Sequence, residues 1–132
     1  MPYVIYLYSG DASVLYFFSF NQIYSYSFQE ISSWNVQNVE NTAGLFKNCA
    51  EFNADISRWD VSGVTDMNHM FFSTPFNSNV SNWNVGRVTN MNSLFGHCTH
   101  FNSNISNWNV AKVTSTSDTF NTAPAFDINL AN

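Results

Sequence analysis

The densest cluster of chemically capable side chains is His97-Cys98-Thr99-His100, which holds three candidate metal ligands in four residues. A structural zinc site needs four ligands in tetrahedral reach, and no second His or Cys pair stands nearby in sequence. The matching stretch of an earlier repeat reads Lys47-Asn48-Cys49-Ala50. The tetrad is therefore expected to be loop variation, with no metal bound. Cys49 and Cys98 hold the same repeat position, two units apart. At sheet spacing their Cα atoms would lie roughly 10 Å from each other, beyond the ~7 Å limit of a disulfide. Two free, mostly buried thiols are expected. No nucleophile elbow, P-loop, dinucleotide fingerprint or paired-carboxylate site is present. Ser, His and Asp occur without the arrangement of a triad, so neither catalytic residues nor a cofactor are expected, and the chain reads as no enzyme.

What positions these residues is an internal repeat. Tryptophans fall at Trp34, Trp59, Trp83 and Trp108, spaced 25, 24 and 25 apart. Each opens the same phrase: WNVQNV, WDVSGV, WNVGRV and WNVAKV. One phenylalanine column follows at Phe46, Phe71, Phe95 and Phe120, and a second at Phe52, Phe76, Phe101 and Phe126, with Phe28 as an earlier member. The unit is F-N-x-[DN]-[IV]-S-x-W-[DN]-V-x-x-V-T-x-M-x-x-[ML]-F plus a short variable loop. A fixed period of this length signals a stacked-repeat architecture, because one unit cannot bury its own face.

Within a unit, Ile56, Trp59, Val61 and Val64 follow the order expected around a short strand, with Trp59 and Val61 inward and Asp60 and Ser62 outward. Thr65 reads as a helix N-cap and Asp66 suits a first turn. Met67, Met70 and Phe71 fall at i, i+3, i+4, one face of a short helix or 3₁₀ turn. The expected fold class is thus an α/β solenoid of leucine-rich-repeat type, with short parallel strands and about four to five coils. Residues 126–130 begin a fifth unit, and Thr116 and Thr119 stand where the inner units carry Met67/Met91 and Met70/Leu94, which suggests a piece of a longer array.

The outward strand positions are the candidate binding site. They are Asn35, Asp60, Asn84 and Asn109, flanked by Ser33, Arg58, Asn82 and Asn107 on one side and by Gln37, Ser62, Gly86 and Ala111 on the other. The competing reading is that this face is only solvated. Asn53, Asn77 and Asn102 form a further column, either a ligand ladder or buried amides bonding the turns of adjacent coils. Asn79-Val80-Ser81 and Asn104-Ile105-Ser106 match glycosylation sequons, which the repeat produces whenever its Asp becomes Asn.

Composition narrows the partners. Aromatic residues make up 17% and charged residues 10%, against roughly 25% charged in ordinary soluble domains. Twenty asparagines supply the polar surface in place of ions. With four Lys+Arg against nine Asp+Glu, net charge is -5 and no basic run exists. Nucleic acid, which requires clustered cations, is excluded.

Residues 1–27 contain no Lys or Arg, and Ser9-Gly10-Asp11 interrupts their apolar run. They meet the requirements of neither a signal peptide nor a transmembrane span. The segments around that turn read as a β-hairpin capping the repeats of residues 28–132, or as a non-native extension.

The repeat phrases closely resemble those of the BspA-like leucine-rich-repeat surface proteins, over residues 28–130. The resemblance implies a non-catalytic module for protein recognition or adhesion at a cell surface. The alternative is a binder of a repetitive non-protein surface, glycan or ice. The column Thr65, Thr89, Thr114 would serve an ice face, but it reads Glu40 in the first unit.

Overall fold

The computed structural model describes residues 31–126; the hairpin expected in residues 1–27 and most of the incipient fifth unit lie outside them. The repeats do stack, but not as an α/β solenoid. Among the described residues the only helical element is a 3₁₀ turn, Ile31–Ser33. There is no sheet. Strand pairing is confined to isolated parallel bridges, Asn41 to Asp66, Asp66 to Asn90 and Asn90 to Ser115. These lie beyond the second valine of each phrase, and no strand forms at Trp59-Asp60-Val61 or its equivalents.

Turns replace both expected elements. The Trp59 N–H donates to the Ile56 carbonyl at 3.1 Å, and the Val64 N–H to the Val61 carbonyl at 2.9 Å. Every other coil repeats this pair of turns. The segment expected to be helical is a tandem of turns instead: Met70 N–H donates to Met67 O at 3.1 Å and Phe72 N–H to His69 O at 3.1 Å. The alternate amides point sideways. Met67, His69, Phe71 and Ser73 donate to the carbonyls of Asn90, Asn92, Leu94 and Gly96 in the next coil, at 2.8–3.1 Å.

A helix would need each of those amides for a partner four residues back, so the lateral ladder and the helix exclude one another. The backbone accommodates the ladder by turning left-handed at every fourth residue. Gly44 and Asn48 in the first coil, His69 and Ser73 in the second, Ser93 and His97 in the third, and Asp118 and Thr122 in the fourth all have φ between 51° and 67°. Type II turns require positive φ at their third residue. Such residues terminate a right-handed helix at once. The i, i+3, i+4 apolar spacing is nevertheless correct as a burial pattern: Met67, Met70 and Phe71 are fully buried.

Thr65 is no N-cap. Its hydroxyl and its N–H both donate to the Glu40 carbonyl of the preceding coil, at 3.1 and 2.8 Å. Thr89 and Thr114 do the same to Thr65 and Thr89.

The core consists of columns of identical side chains running through the stack. Phe46, Phe71, Phe95 and Phe120 stack at ring separations of 5.6–5.8 Å between coils. Within each coil the second phenylalanine lies face to face on the first, at 3.7–4.0 Å. The tryptophans cap this double column, and each indole N–H reaches back one coil. Trp59, Trp83 and Trp108 donate to the carbonyls of Ile31, Ile56 and Val80 at 2.9–3.1 Å. Burying that donor without a partner would cost about 1–3 kcal/mol, so the column is polar-satisfied as well as apolar. In the fourth coil Thr119 takes a methionine's place, and its hydroxyl donates to the carbonyls of Met91 and Thr116.

Two measurements check this architecture. Far-UV circular dichroism should lack the helical double minimum. Phe71→Ala, at a site buried from both sides, should destabilise the chain by about 3–5 kcal/mol in denaturant melts. Phe120→Ala, at a half-buried site, should cost distinctly less.

Candidate functional site

The residues expected on an outward strand face are brought to one flank of the stack, but as turn residues. Asn35, Asp60, Asn84 and Asn109 are exposed. Their side-chain oxygens accept the N–H two residues ahead, from Gln37, Ser62, Gly86 and Ala111, at 3.0–3.2 Å. This is the Asx turn, for which Asn and Asp are selected by side-chain length. Two further columns make the same bond: Asn41, Asp66 and Asn90, then Asp55, Asn79 and Asn104. Most Asn and Asp side chains on the flank are thus engaged in folding.

Arg58, Asn82 and Asn107 differ. They are exposed, sit one residue before each tryptophan, and carry a guanidinium and two amides toward solvent. Around the next turn of the coils, Gln37, Asn38, Glu40, Gly63 and Arg87 line a shallow polar depression of about 500 Å³. Gly63 creates it: a Cβ there would lie 3.1 Å from the Gln37 carbonyl oxygen of the coil above. Sequence reasoning did not find this depression, although the absence of a side chain between Asn38 and Arg87 in the repeat register was a readable signal.

The Asn53, Asn77 and Asn102 column is a ladder, exposed instead of buried. Asn53 Oδ1 accepts the Asn77 N–H at 2.8 Å, and Asn77 Oδ1 accepts the Asn102 N–H at 2.7 Å.

A family model described as a Mycoplasma protein of unknown function, DUF285, matches residues 15–132. The chain belongs to the DUF285 family. This repeat-containing family is related to the BspA-like surface repeat proteins. No curated protein and no solved structure matches the chain.

In this DUF285 stack the chemically reactive groups are enclosed. Cys49 and Cys98 are free and buried. They share a column of small side chains with Thr74 and Ala123, which are also buried. Burial pushes the Cys49 thiol up to about 12. Burial also raises that of Cys98, with Thr74 partly opposing the shift; its Sγ donates to the Phe71 carbonyl at 2.8 Å. His97 and His100, beside Cys98, are exposed. No group of three or more His, Cys, Asp or Glu able to hold a metal is found among the described residues. None of their helices is long and apolar enough to cross a membrane.

Asp60 and Asp55 carry carboxyls held below the ordinary aspartate value by hydrogen bonds from Ser62 and Ser57 respectively, side chain first and backbone second. Such groups stabilise the fold above the unfolded-state pKa, about 3.9 for aspartate, and the contribution is lost as pH falls through the lower folded value. Asp60→Asn combined with Asp55→Asn should keep both turns, since Asn fills these columns in other coils, and should shift the acid-unfolding midpoint to lower pH. Thiol titration provides a second check. Ellman's reagent should find no reactive thiol in the native chain at neutral pH, and two in denaturant.

Proposed function

We propose that this chain is a non-catalytic recognition module of a cell-surface protein, binding a protein partner through the flank that carries Arg58, Asn82 and Asn107. One observation supports this flank above the rest. The Asn and Asp columns around it cap turns, whereas these three side chains project to solvent from a rigid, repeating scaffold. The coils hold them in one rank, as repeat proteins hold the variable residues of their binding surfaces. The depression lined by Glu40 and Arg87 adds a site that offers both charge signs. Surface placement is supported by the kinship of the DUF285 family with surface repeat proteins.

A glycan or ice surface is the weaker reading. It would call on the threonine column, yet the hydroxyls of Thr65, Thr89 and Thr114 each donate to a carbonyl of the preceding coil. Those hydroxyls are anchored to the stack and have no donor left for an ordered external lattice.

The test is a binding screen of the full chain against protein and glycan arrays, repeated with Asn82→Glu/Asn107→Glu. Both sites are exposed, so the variant should melt within about 2 °C of the parent. Its affinity for any protein partner should fall at least tenfold. Binding to glycans alone, or a protein partner indifferent to the variant, would overturn the proposal.

A further inference from the structure

The residue after the first phenylalanine of each coil belongs to a column that does not repeat: Lys47, Phe72, Gly96 and Asn121. Phe72 is the one aromatic in that column, and unlike the core phenylalanines beside it, it is only half-buried. Its ring lies across the next coil with its Cδ2–Cε2 edge against Gly96. A Cβ at residue 96 would stand 2.9 Å from Cδ2 and 3.1 Å from Cε2. Any other residue there would push the ring away, so glycine seats it.

Three nitrogen bases from three coils surround this ring. The Lys47 ammonium sits over it, 5.5 Å from the centroid. The His69 ring is 5.2 Å away and tilted by 49°, and the His97 ring is 5.1 Å away, edge to face at 78°. Both histidines sit at left-handed positions of the turns, with φ of 55° and 57°, so the stack fixes where each imidazole leaves the backbone. The Asn68 side-chain oxygen meets Nδ1 of His69. Asp66 and Glu51 are the acids nearest to His69 and Lys47 along the chain. Among the described residues neither they nor any other carboxylate forms an ion pair with Lys47, His69 or His97. A chain of net charge -5 thus gathers an ammonium and two of its three imidazoles around one part-exposed ring.

We propose that this cluster is a second recognition site, one for an acidic peptide segment whose carboxylate pairs with Lys47, His69 and His97 while an adjacent apolar side chain covers Phe72. Ammonium and imidazolium donors make their strongest hydrogen bonds to a carboxylate, and Phe72 supplies the apolar contact that a bare charge cluster lacks. A stacked sugar fits less well, because it needs an open ring face, and here the ammonium lies over the ring and Gly96 takes its edge. Acidity tunes the site. An imidazole gains its charge below about pH 6.5. Burial first, and Lys47 second, hold His69 below that ordinary value, so its charge appears only at more acid pH. A glutamate ligand keeps its own charge down to about pH 4.3. The site is therefore a weak carboxylate receptor at neutral pH and a stronger one near pH 5. It is built from other residues than the flank of Arg58, Asn82 and Asn107, and the two proposals stand or fall independently.

The probe is the blocked peptide Gly-Glu-Leu-Glu-Gly, titrated into the full chain at pH 5.0 and 7.5 while NMR follows the histidine and phenylalanine ring signals. Saturable shifts of His69, His97 and Phe72 are expected, with binding at least fivefold tighter at pH 5.0. The glutamine version of the peptide should not bind. His69→Ser/His97→Asn should remove the pH dependence, and Phe72→Asn should weaken binding several-fold at both pH values. Ser93, Asn48 and Asn121 occupy the same columns in other coils, so these variants should keep the parent's cooperative melt. Lys47→Gln should weaken binding where Lys112→Gln, an equal loss of charge elsewhere, does not. Asn82→Glu/Asn107→Glu should leave it unchanged. No binding at pH 5.0, equal binding of the glutamine peptide, equal affinity at both pH values, or equal effects of the two lysine variants would overturn the proposal. So would binding of oligogalacturonate, an acidic sugar chain, in place of the peptide.

Discussion

The amide ladder between coils is the constraint from which the rest of this structure follows. Alternate N–H groups of residues 67–73 leave their own coil and bond to residues 90–96. A chain that donates sideways at every second residue cannot satisfy a helix, and one that turns at the residues between cannot extend into a strand. It adopts tandem turns, which place left-handed φ values at fixed steps through all four coils. The asparagines answer the remaining need. A path with no regular element has many turn amides lacking a backbone partner, and a buried or crowded amide without one is costly. Three Asx columns provide oxygens where the backbone does not, and among the described residues no buried side-chain nitrogen or oxygen is left without a partner.

Such a backbone has little intrinsic stiffness, so side-chain columns must supply the rigidity. Phe71, Phe76, Phe95 and Phe101 each stack on a ring in their own coil and on others above and below, so the aromatic core is continuous through the stack. The tryptophan joins the apolar and polar systems in one residue. Its ring packs in the core while its N–H bonds the coil behind. Phenylalanine could replace the packing but not the bond, which accounts for tryptophan at positions 59, 83 and 108. Stability in such a stack comes from neighbouring interfaces and not from the single unit. The fourth coil, with Thr116 and Thr119 where the two coils before it carry Met or Leu, contributes less to the column but recovers hydrogen bonds through Thr119.

The period, the inward residues and the stacking of like on like were legible in the sequence, because burial imposes them whatever the backbone does. The path between those residues was not. Trp59-Asp60-Val61 alternates like a strand, and Met67, Met70 and Phe71 are spaced like a helix face. Both patterns describe which side chains are covered, and a chain of turns covers the same ones. The discriminating signal lay in the positions between. Apart from the inward Thr42, Met67 and Met91, and Ala43, residues 41–44, 66–69 and 90–93 are Asn, Asp, Ser, His and Gly, where a helix would favour Ala, Leu, Glu or Lys. An Asn or Asp recurring at the same places from unit to unit is the mark of Asx turns, and it gives Asp60 and its column a role in folding. The free and buried state of Cys49 and Cys98 was readable, since their separation depends only on the repeat count.

That reassignment changes where recognition chemistry can reside. A column whose oxygens hold turns cannot vary freely, because a residue of another length would release an amide as well as alter the surface. Positions without such duties can vary, and residue 58 and its equivalents in the following coils do so, reading Arg58, Asn82 and Asn107. Residue 63 and its equivalents vary more, reading Asn38, Gly63, Arg87 and Lys112. These two columns precede and follow the Asx residue of each phrase along the chain. Their differences from coil to coil give the flank a non-repeating pattern on a repeating frame. Such a pattern distinguishes one partner from another; an identical rank would suit only a partner as repetitive as itself. The fold thus divides its surface into oxygens that keep the coils in shape and side chains left free to differ, and the second set is the one from which specificity can be built.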